Sequence, residues 1–74
     1  MAIEINEDHM SLAVDGREIA TANRTGGWWT VATWSVPLSY NQAITALTLA
    51  ERLAYGYGED DPFVVAWREE LARA

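Results

Sequence analysis

The stretch Met10–Thr21, MSLAVDGREIAT, decides the fold. Met10, Leu12 and Val14 alternate with Ser11, Ala13 and Asp15, the period of two expected of a strand with one buried face. Asp15-Gly16 comes next and suits a two-residue type I′ turn, which needs positive φ at both central positions. Counting outward pairs Val14 with Arg17, Leu12 with Ile19 and Met10 with Thr21. The hairpin so drawn has one large-apolar face and a second face of Ser11, Ala13, Glu18, Ala20 and Ala22.

Toward the N-terminus, Ala2 to Asn6 alternates again, with Ile3 and Ile5 on one side, and reads as a short strand. Asn6-Glu7-Asp8-His9 is a polar loop. Toward the C-terminus, Asn23-Arg24-Thr25-Gly26-Gly27 reads as a turn. Trp28 to Val36 is then rich in β-branched and aromatic residues, which suit a pleated strand. A turn centred on Gly26-Gly27 puts Trp34 beside Ile19 on the core face, and Trp29 and Val31 on the alanine-lined face. A slip of one residue would exchange the two sets.

Pro37 closes the strand, and two helices follow. Ser39-Tyr40-Asn41-Gln42 fits a capping box, so a helix runs from about Tyr40 to Tyr55 with Gly56 just past its end. Asn41, Thr45, Thr48, Arg52 and Tyr55 make its one polar stripe, and the remaining positions are apolar enough for a central, buried helix. Asp61 as N-cap with Pro62 at the first helical position starts a second helix over 62–73. Phe63, Val64, Trp67 and Leu71 form its packing stripe. The fold class is α+β: an N-terminal antiparallel sheet of three to four strands, then two C-terminal helices, in one small domain spanning 1–74.

At 74 residues the chain buries only roughly 60% of its unfolded surface, so its margin of stability is thin and a second subunit would add to it. With no cysteine, disulfides, thiolate zinc sites and cysteine nucleophiles drop out together. The 50% apolar fraction and four tryptophans argue for a core rather than disorder. No apolar run is long enough to span a membrane, and a cytoplasmic location is expected. Eleven acids against five bases give a net charge of −6, a field that repels nucleic-acid phosphates. All the bases are arginine and alanine is abundant, the usage of a GC-rich genome such as an actinobacterium or its phage.

Few residues carry chemistry. The only histidine, His9, reads as a solvated loop residue; Ser11 or Ser39 would complete a triad only if something positioned them, and G-x-S-x-G is absent. Glu7-Asp8-His9 and Glu59-Asp60-Asp61 lack the ligand spacing of a calcium loop, and the second cluster is better explained by helix capping. Gly26-Gly27 and Gly56-Tyr57-Gly58 match no phosphate-binding pattern. No cofactor, metal or catalytic residue is read from the chain, and an enzyme ranks last among the function classes.

A three-stranded sheet followed by a helix resembles the small DNA-binding domains at the start of some phage integrases. Those carry a basic sheet face; here Arg17 and Arg24 stand against Glu4, Asp15 and Glu18, so the likeness stops at topology. The leading expectation is a non-enzymatic module that binds another protein, as a small inhibitor or a phage or antitoxin-like partner would, and that dimerises. Helices cover one side of a sheet only, and Trp29 and Val31 among alanines, rimmed by Arg24, would make the contact on the other. The alternative is acidic mimicry of nucleic acid, occupying a basic groove on a DNA- or RNA-binding protein.

Overall fold

The computed structural model describes residues 3–73. Six elements follow one another: β1 (Ile3–Ile5), β2 (His9–Val14), β3 (Arg17–Thr25), β4 (Trp28–Val31), α1 (Tyr40–Ala54) and α2 (Pro62–Ala72). The strands form one antiparallel sheet in chain order, β1-β2-β3-β4, and the two helices come after it. The architecture is α+β. Ala2, expected to open the first strand, lies outside the described residues.

Asp15 and Gly16 turn the β2–β3 hairpin with φ of 53° and 77°, the paired left-handed conformation of a type I′ turn. Val14 faces Arg17 and Ala13 faces Glu18, and then the register breaks. Leu12 pairs with Ala20, not Ile19, and Met10 with Ala22. Ile19 is the extra residue of a β-bulge, which shifts all later positions of β3 by one relative to β2. The expected pairs Leu12–Ile19 and Met10–Thr21 are therefore corrected. Ala20 and Ala22 join Met10 and Leu12 on the core face, and Ser11 faces Thr21 on the other.

The bulge decides the fate of β4. A two-residue turn at Gly26-Gly27 pairs Thr25 with Trp28, Arg24 with Trp29 and Ala22 with Val31. Trp29 and Val31 do share a face with the alanines, but that face is the core: they are 3% and 1% exposed. Trp28 takes the opposite face and is 59% exposed. Asn23–Thr25, expected in a turn, belongs to β3, and His9, expected in a loop, opens β2.

The last strand is shorter than its composition implies. It stops at Val31, where the Trp34 N–H donates to the Val31 carbonyl and reverses the chain. Leu38 then returns along the outside of β4, exchanging both backbone hydrogen bonds with Trp29 at 2.7 and 2.8 Å. This covers part of an edge that would otherwise stand open to pairing with another chain. Trp34 is thereby carried off the sheet, into a hollow shared with Ala46, Leu49, Ala50 and Leu53 of α1.

α1 starts on the expected capping box. The Ser39 Oγ accepts from the Gln42 N–H, and the Ser39 N–H donates to Gln42 Oε1 at 3.0 Å. Its buried face, led by Ala43, Ala46 and Leu47, lies across β2, β3 and β4. Alanines on both sides of that interface let helix and sheet approach closely while Met10, Leu12, Val31 and Leu47 fill the remaining space. Fully burying each such large side chain favours folding by about 1.5–3 kcal/mol. α2 packs on α1 and presents Val64 and Leu71 to it. Phe63, placed by its spacing in the same stripe, is instead 55% exposed.

Candidate functional site

Outward-facing aromatic residues gather where α1 ends and α2 begins. Tyr55 caps α1, and Gly56 follows with φ of 100°, a backbone conformation that a residue with a β-carbon adopts only under strain. The Gly56 N–H donates to the Leu53 carbonyl and the Tyr57 N–H to the Arg52 carbonyl, the bond pair of a Schellman motif. That turn folds Tyr57 back over the helix it has just left. Its ring centre lies 3.8 Å from the Arg52 guanidinium carbon, and the Phe63 ring lies 4.7 Å from the same atom.

Arg52 is held edge-on as well. Nε and Nη2 donate to the two carboxylate oxygens of Asp61 at 2.6 and 3.0 Å, a fork that only arginine can offer. Asp61 also caps α2, accepting from the Phe63 and Val64 N–H groups at 3.1 Å each. The hydrogen bond from Arg52 holds the Asp61 carboxyl below the ordinary aspartate range, outweighing the desolvation that would raise it, with the two cap N–H groups assisting. The same bond raises Arg52 further above its usual value. One carboxylate therefore joins the end of α1, the loop and the start of α2.

Beside this cluster opens a cleft of about 550 Å³, lined by Thr48, Glu51, Arg52, Tyr55, Tyr57 and Trp67. Trp67 reaches it from α2, one turn beyond Phe63, with their ring centres 5.7 Å apart. Tyr55, Tyr57 and Phe63 are all about half exposed or more. The cleft thus has a mixed polar and apolar lining: three aromatic side chains, Thr48, one carboxylate, Glu51, and one arginine whose charge Asp61 already balances.

The surface expected to bind a partner is arranged differently. Arg24 and Trp29 are indeed cross-strand neighbours, and Val31 follows Trp29 on the same face. Trp29 and Val31, however, lie beneath α1, with Trp29 edge-on to Tyr40 at 6.0 Å, where no partner reaches them in the folded chain. Arg24 is occupied by Asp8, to which Nη2 donates at 2.6 Å. The uncovered face of the sheet is polar, with Ser11, Thr21, Asn23, Thr25 and Thr30 around Trp28. His9 belongs to it and pairs with the Asn23 amide oxygen at 2.8 Å.

Among the described residues, no hydrogen bond joins His9 to Ser11 or Ser39, and no three histidine or carboxylate side chains gather as a metal site. No described helix is long and apolar enough to cross a membrane. No family model matches the chain, and no curated protein or solved structure is similar enough to count as a relative.

Sequence reasoning assigned Tyr55 to a polar stripe and Phe63 and Trp67 to packing, and so missed the cluster. One signal was present. α2 carries Phe63, Val64, Val65, Trp67 and Leu71, more apolar surface than one neighbouring helix can cover.

Proposed function

We propose that the chain is a non-enzymatic protein-binding module and that it meets its partner with the aromatic cleft at the α1–α2 junction. The observation that carries this reading is the group Tyr55, Tyr57, Phe63 and Trp67. The first three are about half exposed or more and Trp67 is half-buried beside them, while Tyr57 and Phe63 lie over an Arg52 held by Asp61. Large aromatics contribute most to binding when they are fixed beforehand, because little side-chain entropy remains to be lost. The Schellman turn, the Asp61 fork and the stacked rings supply that fixing. Contiguous aromatic surface of this kind on a small chain is characteristic of interaction sites.

Acidic mimicry of nucleic acid takes second place. A mimic places its carboxylates in rows that match phosphate spacing. Here Glu4 is on an edge strand, Asp15 and Glu18 are by the hairpin turn, and Glu69 and Glu70 are on α2. Asp8, Glu59 and Asp61 are each tied to an arginine.

The test is capture of partners from a lysate of the source organism or its host, at low and at physiological salt. The bait is the wild-type chain or a Tyr55→Ser/Tyr57→Ser variant shown by circular dichroism to be folded. A specific protein held at both salts and lost with the variant is the expected result. A partner held equally by the variant, and released by salt alone, would replace this reading with mimicry.

A further inference from the structure

Resting on the cleft as the partner site, we infer that it takes an arginine or lysine side chain presented by a basic segment of the partner protein. Three of its lining side chains are aromatic: Tyr55 and Tyr57 from the end of α1 and the turn after it, and Trp67 from α2. Aromatic faces attract cations through the ring quadrupole, tryptophan most strongly. Glu51 lies among them, three residues after Thr48 and four before Tyr55 on the same face of α1, and pairs with no arginine among the described residues.

The resident cation does not oppose this. Arg52 is neutralised by both oxygens of Asp61, leaving Glu51 as the uncompensated charge of the cleft. That pairing also disfavours an anion: a phosphate would have to displace Asp61, which is simultaneously fixed by two N–H groups of α2. Arg52 shows in the same place how the chain holds a guanidinium, between rings and against a carboxylate. At a distance, the net charge of −6 draws in basic partners and repels acidic ones. A cleft of about 550 Å³ is large enough for one extended side chain and its flanking backbone.

The experiment is an NMR titration of the ¹⁵N-labelled chain with a short, end-blocked Gly-Ser peptide bearing two arginines. A matched peptide with citrulline, which keeps the shape and removes the charge, is the comparison. The expected result is saturable shifts confined to the Tyr55, Gly56 and Tyr57 amides and the Trp67 indole, roughly ten-fold weaker with citrulline or in a Glu51→Gln chain. Equal shifts with citrulline, or shifts spread without saturation over Glu4, Glu18 and Glu69, would overturn the proposal. So would concentration-dependent shifts at the cleft without peptide, since the occupant would then be a second copy. Failure here, combined with a captured partner still lost in the Tyr55→Ser/Tyr57→Ser variant, would leave the partner site standing and remove only its preference for a cation.

Discussion

Ile19 and Ala20, neighbours in the chain, both lie on the helix side of the sheet. Ala20 is in the core opposite Leu12, and Ile19 packs at its margin near Val14 and Ala54. In a regular strand they would point to opposite faces. The bulge thus sets which face of β3 is buried, and through β3 which face of β4.

Deleting Ile19 is expected to regularise the strand rather than break it. The pairs Val14–Arg17, Ala13–Glu18, Leu12–Ala20 and Met10–Ala22 all survive the loss of the extra residue, and regular alternation then keeps Ala20 and Ala22 on the core face. The deletion should retain the cooperative melt and the near-ultraviolet dichroism of the tryptophans, losing only the contact Ile19 makes at the margin of the core. Ile19→Val keeps the backbone and should cost about 0.5–1.5 kcal/mol, a fall of a few degrees in Tm. Loss of the cooperative melt in the deletion would show that the bend of the bulge itself, and not only the pairing around it, is needed for β3 to meet α1.

Trp28 and Trp29 test the same register one strand further on. Trp29→Ala removes a side chain packed beneath α1 and edge-on to Tyr40, and should cost about 3–5 kcal/mol. Trp28→Ala empties an exposed site and should stay within about 0.5 kcal/mol. Urea titrations of both variants decide it. Comparable losses, or a larger one for Trp28, would mean that the two faces of β4 are exchanged.

These two strands mark the limit of what the residues alone disclosed. Local signals read correctly wherever one side chain meets one backbone group: the Asp15-Gly16 turn, the Ser39–Gln42 box, Gly56 after α1 and Asp61-Pro62 before α2. The sheet register is not local. Ile19 can be accommodated in a regular strand or a bulge, and the bulge is the arrangement that leaves Ala20 and Ala22 beneath α1. With β3 read as regular, Trp29 and Val31 fell on the outer face and became a binding patch. The aromatic cleft escaped for a similar reason. Arg52, Tyr57, Phe63 and Asp61 meet only after two helices have been folded against each other, and nothing in their spacing along the chain marks that meeting.

Asp61 gives the stability a dependence on acid whose sign follows from its environment. Its folded-state carboxyl titrates below the ordinary range, so its contribution is present above the unfolded value of about 3.9. It is lost as pH falls from there through the folded value, because the unfolded chain then binds the extra proton. Glu59, lowered by its hydrogen bond from Arg68, acts in the same direction. Asp61→Asn retains a good N-cap and removes the charge opposite Arg52. Urea titrations between about pH 3 and pH 7 should show a variant less stable than wild type at neutrality, with a shallower loss below about pH 4. Parallel curves for the two proteins would mean that the fork contributes nothing to folding.

Gly56 links the stability of α1 to the shape of the cleft. Its φ of 100° costs a residue with a β-carbon about 1–2 kcal/mol, although nothing lies within 4 Å of where that carbon would sit. Gly56→Ala should therefore lower Tm by several degrees through backbone strain alone. Gly27 has equally open surroundings without the left-handed φ, so Gly27→Ala should be neutral or slightly stabilising. The strain has a second consequence. Relief by opening the Schellman turn would release the Tyr57 N–H from the Arg52 carbonyl and lift the Tyr57 ring off the guanidinium. Hydrogen exchange at the Tyr57 amide should accelerate in Gly56→Ala more than in a destabilised control such as Ile19→Val, measured at matched global stability. If the two variants exchange alike there, the turn does not position Tyr57, and the rigidity of the cleft must come from Asp61 and Phe63 instead.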